Sequence, residues 1–359
     1  MSLNAALTRT LSPSFTLDVD IAVPAGITIL FGPSGSGKST VLRCIAWLDR
    51  PDSGRITLGD TVLFDTARSI DIPPQQRHVG MVFQQLALFP HLSVGGNIAY
   101  GLHRTPAGER QQRIAAIAAS FHITEILHRK PSQISGGERQ RVALARTLVT
   151  EPSALLLDEP LTALDYRIQS QILEDLRRWN EARPIPVLYV THAHREVYAL
   201  AERVIVLNRG SVVAAGTPHE VLDHPDASIV AELAGFENVH TGHVISRRPE
   251  AGTMQVRLDD STVELEVPLT TAKDIVTVAI RAGDILVSDR APAGISARNV
   301  LEGQVEAIRR QGPTVVAHVR AGMTFHVHLT PAGAEELRLA PGSRVWLIIK
   351  TYSCRIAAG

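Results

Sequence analysis

Two cysteines, Cys44 and Cys354, are all that the 359 residues contain. No C-x-x-C spacing exists, so a cysteine zinc site or a disulfide framework is not expected. Two isolated thiols fit a reducing cytosol. Aromatic residues make up only 4% of the chain, which gives no support for a base-stacking platform. Neither sign of charge dominates, since 36 Lys+Arg balance 36 Asp+Glu. That balance argues against non-specific binding to nucleic acid or to a membrane surface, and no nucleic-acid partner is expected. Long hydrophobic runs are missing too. No stretch reaches the ~18 apolar residues of a spanning helix, and the N-terminal MSLNAALTRTLSPSF lacks an apolar core of signal-peptide length. Any membrane role must therefore come through a partner.

What remains is an ordinary globular composition, 45% hydrophobic, in a length that suggests about two domains at ~150 residues each. In the first half, Ile27–Phe31, Ala154–Leu157 and Val187–Val190 are continuous apolar runs, each followed by polar residues. Continuous rather than alternating hydrophobicity predicts strands covered on both faces, hence a parallel sheet between helices. A helix is expected over Ser39–Leu48, and an inserted helical piece over residues 85–134. After about residue 235 the pattern changes to short alternating runs such as Thr262–Val267 and Thr324–Leu329, separated by glycine and proline turns. The expectation is an α/β domain over 1–235 and an all-β, barrel-like domain over 236–359. Ser288–Gly294 is a possible division within the latter.

The strongest local signal is Gly32-Pro33-Ser34-Gly35-Ser36-Gly37-Lys38-Ser39, followed by Thr40, between a strand and a helix. Glycines let the backbone curl so that N–H groups face phosphate oxygens, and the helix N-terminus adds partial positive charge. Lys38 is suited to the β- and γ-phosphates and the Ser39 hydroxyl to Mg²⁺. A second apolar strand ends in Asp158-Glu159. Asp158 there can help hold Mg²⁺, and Glu159 can polarise an attacking water. Upstream, Ser135-Gly136-Gly137-Glu138 reads as a capping box opening a helix through about Thr150. A Ser-Gly-Gly helix start is also an anion cradle, and a second cradle needs a use.

These residues together resemble the nucleotide-binding subunit of ATP-binding-cassette transporters over about residues 1–235. Ser135-Gly136-Gly137-Glu138-Arg139-Gln140 is similar to the family signature, with Glu138 where Gln is frequent. Gln84 resembles the Q-loop glutamine, Ala163-Leu164-Asp165 the D-loop, and His192 the switch histidine. The resemblance implies ATP as the nucleotide and catalysis by Glu159, His192 and Lys38, with Gln84 beside Mg²⁺. It also implies a head-to-tail homodimer in which one copy's signature closes over the other's nucleotide, and Asp165 as a cross-dimer contact. The family usually stacks an aromatic on adenine. Phe15 is the choice here, although its alternation with Leu17, Val19 and Ile21 equally suits the buried face of a strand.

Leu86–Val94 and the appended β domain resemble the import-type subset of the family. That implies two integral-membrane permease subunits, a periplasmic or extracellular binding protein, and a peripheral location on the cytoplasmic face of the inner membrane. Ser296-Ala297-Arg298-Asn299, with Lys350 later, is similar to the molybdate-binding domain of molybdate import ATPases over about residues 294–357. A tetrahedral dianion needs a hydroxyl, N–H donors and a cation. Ser296, the 297–299 backbone and Lys350 would supply them, making molybdate a regulatory ligand as well as the cargo. Tungstate, sulfate and ferric ion remain alternative cargoes. A non-transport cassette ATPase and an oxyanion store are the competing classes. His326 and His328 lie two apart, but no acidic or thiol partner nearby suggests a metal site.

Overall fold

A computed structural model of the chain describes every residue except 162–163, 224–229, 232–234, 272–273, 313 and 359. The chain divides into two compact units, Met1–Pro218 and His219–Gly359. The change in patterning near 235 marks the approach to the first strand of the second unit at Asn238, whereas the stretch beginning at His219 already groups with that unit.

Among the described residues of the first unit, eleven strands form one sheet. They are β1 (Leu3–Ser12), β2 (Phe15–Val23), β3 (Gly26–Phe31), β4 (Ser53–Leu58), β5 (Thr61–Asp65), β6 (Ile70–Asp71), β7 (Val79–Val82), β8 (Ala154–Asp158), β9 (Pro186–Val190), β10 (Arg203–Asn208) and β11 (Ser211–Gly216). Their order is β6-β5-β4-β1-β2-β11-β10-β3-β9-β8-β7. The run β10-β3-β9-β8-β7 is parallel throughout. All residues of β3 and β9 are buried, as continuous apolar strands require. The flank β6-β5-β4-β1-β2 is antiparallel. In β2 burial alternates residue by residue, with Leu17, Val19, Ile21 and Val23 inward. These side chains join Val41, Leu42 and Ile45 of helix α1 (Lys38–Ile45) in one core.

The stretch 85–134 contains α2 (Val94–Ala99) and α3 (Ala107–Ser120) with short 3-10 turns. Residues 85–93 have no regular structure. Three further α-helices follow among the described residues of the first unit: α4 (Gly136–Leu148), α5 (Tyr166–Ala182) and α6 (His194–Leu200).

In the second unit the strands are β12 (Asn238–Arg248), β13 (Thr253–Leu258), β14 (Glu264–Pro268), β15 (Ile275–Ile280), β16 (Leu286–Ser288), β17 (Asn299–Gln311), β18 (Thr314–Ala321), β19 (Met323–Leu329), β20 (Arg344–Ile349) and β21 (Cys354–Ala358). They make two antiparallel sheets, β14-β13-β12-β15-β21 and β16-β20-β17-β18-β19. Ser288–Gly294 does not divide two independent pieces. β16, before it, pairs with β20, while β21, after it, pairs with β15. Residues from both sheets, among them Val256, Val278, Val319, Phe325 and Leu347, share one hydrophobic core.

Candidate functional site

Parallel pairing aligns the strand ends. Leu30 pairs with Val190, Val190 with Asp158, and Leu157 with Val82. The chain therefore leaves β3, β9, β8 and β7 at one carboxyl edge, where ligands bind in open α/β sheets. The segments leaving that edge carry the phosphate loop, His192, Glu159 and Gln84 in turn.

The loop after β3 needs its glycines for identifiable reasons. A Cβ at Gly32, where φ is 152°, would lie 2.1 Å from the carbonyl oxygen of Leu207. Gly37, at φ 105°, is the residue before α1, and no side chain caps that helix. Its first-turn amides are thus left for a ligand. The Ser36 hydroxyl is buried with no hydrogen-bond partner among the described residues, and Ser34 and Gly35 are exposed. Lys38 is buried and folds back, its Nζ donating to the carbonyls of Gly32 at 2.9 Å and Pro33 at 2.8 Å. Burial lowers the Lys38 pKa, while Glu159 and Asp158 oppose that shift.

Ser39 Oγ donates to Asp158 Oδ1 at 2.9 Å, bridging the loop to the end of β8. Burial pushes the Asp158 carboxyl up from its ordinary range, against the Ser39 hydrogen bond, with Glu159 adding to the rise. A hydroxyl beside a carboxylate is a hard, oxygen-only donor pair. It fits Mg²⁺, which retains waters and takes further ligands from substrate phosphates.

Glu159 follows in the left-handed region, at φ 43°, unusual for a residue with a side chain. Its N–H donates to Val190 O at 3.1 Å, and its Oε1 lies 3.2 Å from His192 Nδ1. Gln84 is exposed beyond the end of β7. Phe15 is half-buried at the start of β2. It packs on the β2–α1 core, yet its ring would lie 3.5 Å from a Cβ at Gly37. The side chain therefore belongs to the strand's buried face and abuts the phosphate loop at once.

Ser135 caps α4 in both directions. Its N–H donates to Glu138 Oε2 at 2.7 Å, and its Oγ accepts from Glu138 N at 3.3 Å. The backbone hydrogen bond from Ser135 lowers the Glu138 pKa. Gly137 is close to α5, since a Cβ there would lie 2.5 Å from Ile168 Cγ2. Asp165 caps α5 by accepting from Ile168 N at 3.1 Å. Thr162 and Ala163, beside it, lie outside the described residues.

Several polar contacts around this edge carry no periodic signal in the sequence. Arg146 donates to Leu86 O and Ala87 O and lies over the Phe89 ring. Asn97 accepts from Phe89 N at 2.8 Å and donates to Phe89 O at 3.1 Å. Together they hold the irregular segment after Gln84. Arg141 in α4 pairs with Asp175 in α5 at 2.6 Å, both buried, and also donates to Phe121 O.

In the second unit, Ser296 and Arg298 are exposed just before β17, and Lys350 is exposed just after β20. Asn299 pairs with Ile349, so the antiparallel register brings the 296–298 turn beside Lys350. The Asn299 side chain is committed elsewhere. Its Oδ1 accepts from Glu266 N at 2.6 Å and its Nδ2 donates to Glu266 O at 2.9 Å, tying β17 to β14 across the two sheets. Any anion contact at this residue falls to its backbone. His326 stacks on His318 with ring centroids 4.6 Å apart. No group of three or more potential metal ligands occurs among the described residues.

The family model for ABC transporters matches residues 17–162, and that for the TOBE domain matches residues 295–356. The chain is 38% identical to the molybdenum import ATP-binding protein ModC of Rhizobium etli, over 95% of this chain and 96% of that protein. The like-named protein of Pseudomonas aeruginosa is 37% identical over 95% of this chain and 96% of its own. That of Rhodospirillum rubrum is 36% identical over 94% of this chain and 93% of its own.

Proposed function

Because this chain belongs to the ATP-binding-cassette family of import ATPases, we propose that it is the ATP-hydrolysing subunit that energises molybdate uptake through separate membrane permeases. The observation that carries the chemistry is one strand edge at which Ser39 bonds Asp158 while the next residue, Glu159, meets His192. The TOBE domain at 295–356 supports an oxyanion-sensing role for the second unit.

In the proposed cycle the uncapped start of α1 and the loop 32–37 bind the phosphates of ATP, with Thr40 in the same first turn. Lys38 exchanges its bonds to the Gly32 and Pro33 carbonyls for phosphate oxygens. Ser39 and Asp158 hold Mg²⁺ with Gln84 beside it, and the ion, when bound, offsets phosphate charge and polarises the transferring group. Glu159 takes the proton of the attacking water as its oxygen bonds to phosphorus and the bond to ADP breaks. His192 leaves Glu159 to donate towards the γ-phosphate. Ser135, Gly136 and Gly137 of a second copy, with Glu138 fixing their cap, complete the donor set. Phe15, which abuts the loop, would stack on the adenine.

The chain works as a homodimer on two permease subunits at the cytoplasmic face of the inner membrane. Among its described residues no helix is long and apolar enough to cross a membrane. A periplasmic or extracellular binding protein delivers the oxyanion. Molybdate bound at Ser296, Ala297, Arg298, Asn299 and Lys350 reports cytosolic supply.

Two measurements test this. Glu159→Gln should lower ATP turnover roughly 100-fold or more while retaining ATP binding, and near-normal hydrolysis would remove Glu159 from the mechanism. Calorimetry of the full chain should show molybdate binding more tightly than sulfate. Tighter binding of tungstate or sulfate would change the cargo and leave the ATPase intact.

A further inference from the structure

The loop carrying His192 is pinned at both ends by a buried pair that the proposed chemistry does not use. Tyr189, in β9, is 0% exposed, and Glu196, in the first turn of α6, is 6% exposed. The Tyr189 hydroxyl donates to Glu196 Oε2 at 2.9 Å. Between them the chain runs from Val190 through Thr191, His192 and Ala193 into α6. The phenol–carboxylate bond therefore closes a short ring of backbone around His192.

Other contacts hold the same ring against the strand ends. Thr191 is buried, and its Oγ1 accepts from Ala193 N at 3.0 Å. Val190 O accepts the Glu159 N–H. His194, the first residue of α6, meets the Phe31 ring edge-on at 5.2 Å, next to the phosphate loop. Against this fixed frame the His192 side chain is 59% exposed and touches Glu159 through Nδ1. An exposed imidazole on a hydrogen-bonded loop can exchange one partner for another without the backbone moving. A loose loop would spread the imidazole over positions out of reach of either partner.

We infer that Tyr189 and Glu196 are positioning residues, whose hydrogen bond aims His192 at the reacting phosphate. This rests on the catalytic reading of His192 given above. Burial and the neighbouring Glu196 raise the Tyr189 pKa well above its ordinary value, so the phenol remains a donor across the working pH range. Loss of that donor leaves a buried carboxylate short of a partner, and the start of α6 shifts to rehydrate it.

The test is a double-mutant cycle on ATP hydrolysis by the full chain. Tyr189→Phe should lower kcat about tenfold with KM for ATP little changed, the cost of one misdirected catalytic group. Glu196→Ala should do the same, and Glu196→Gln, whose amide oxygen still accepts from the phenol, should restore most of kcat. Adding Tyr189→Phe to His192→Ala should cost nothing further. Additive losses in that double variant, or Glu196→Gln as slow as Glu196→Ala, would overturn the inference. So would full turnover in Tyr189→Phe beside a slow His192→Ala. Full turnover in His192→Ala would instead overturn the reading of His192 itself. Should Tyr189→Phe fail to fold, the contrast between Glu196→Gln and Glu196→Ala, alone and with His192→Ala, decides the same question.

Discussion

Replacement of Asn299 by alanine separates a structural role from an anion-binding one at the same residue. The side chain makes two hydrogen bonds to the Glu266 backbone, one in each direction, and through them joins the two sheets of the second unit. Alanine leaves an N–H and a carbonyl of Glu266 without those partners. Each such loss costs about 1–3 kcal/mol when the group is fully buried. Glu266 is half-buried, so water replaces part of the loss. A total of about 1–3 kcal/mol is therefore expected, some 5- to 150-fold in an opening equilibrium. Hydrogen exchange read by mass spectrometry over 264–268 and 299–311 measures this directly. Amides of β14 and the start of β17 should exchange faster by that factor with no oxyanion present, while peptides of the first unit stay unchanged. Unaltered protection together with lost molybdate binding would refute the reasoning, because the side chain would then serve the anion and not the sheets.

Other expectations follow from burial. Asp158→Asn should abolish turnover yet raise the melting temperature of the nucleotide-free chain at neutral pH. The folded-state pKa of Asp158 is raised, so wild type bears the cost of an ionised buried carboxylate above that pKa and loses it below the unfolded value. The gain should thus shrink as pH falls through the carboxyl range, and a less stable variant at neutral pH would contradict this account. Burial pushes the Cys44 thiol up to about 11 and the Cys354 thiol up to about 12. Neither should react with a thiol reagent in native buffer at neutral pH, and both should react after denaturation. Labelling of the folded chain would show that one of these sites opens.

Much of the nucleotide edge was legible because its signals are local. A continuous apolar run predicts a strand buried on both faces, and Ile27–Phe31, Ala154–Leu157 and Val187–Val190 differ from β3, β8 and β9 by one residue at an end. The glycines and Lys38 act within a few residues of one another. The antiparallel flank was harder to see, because β1 and β4 bury only alternate residues, Leu3, Ala5 and Leu7 in the one and Ile56 and Leu58 in the other, and have no long apolar run. Arg146, Asn97, Asn299 and the Tyr189–Glu196 pair act through hydrogen bonds whose partners tertiary folding selects. No periodicity announces them. Ser288–Gly294 directly precedes the TOBE match at 295–356, yet strands beyond it return to pair with strands before it, for a related reason. A turn signal marks where the chain bends, but not which earlier strand a later one will join.

That pairing has a consequence for biosynthesis. β15 is flanked by β12, made well before it, and by β21, the last strand of the second unit. While a ribosome is still translating the region around β20, one side of β15 is an open edge and Val278 and Ile280 lack their last cover. The second unit thus completes its folding only once Cys354–Ala358 has cleared the exit tunnel, whereas the phosphate-loop strand gains its last neighbour at β10. A nascent chain can therefore own a finished nucleotide edge before it owns a finished β-rich second unit.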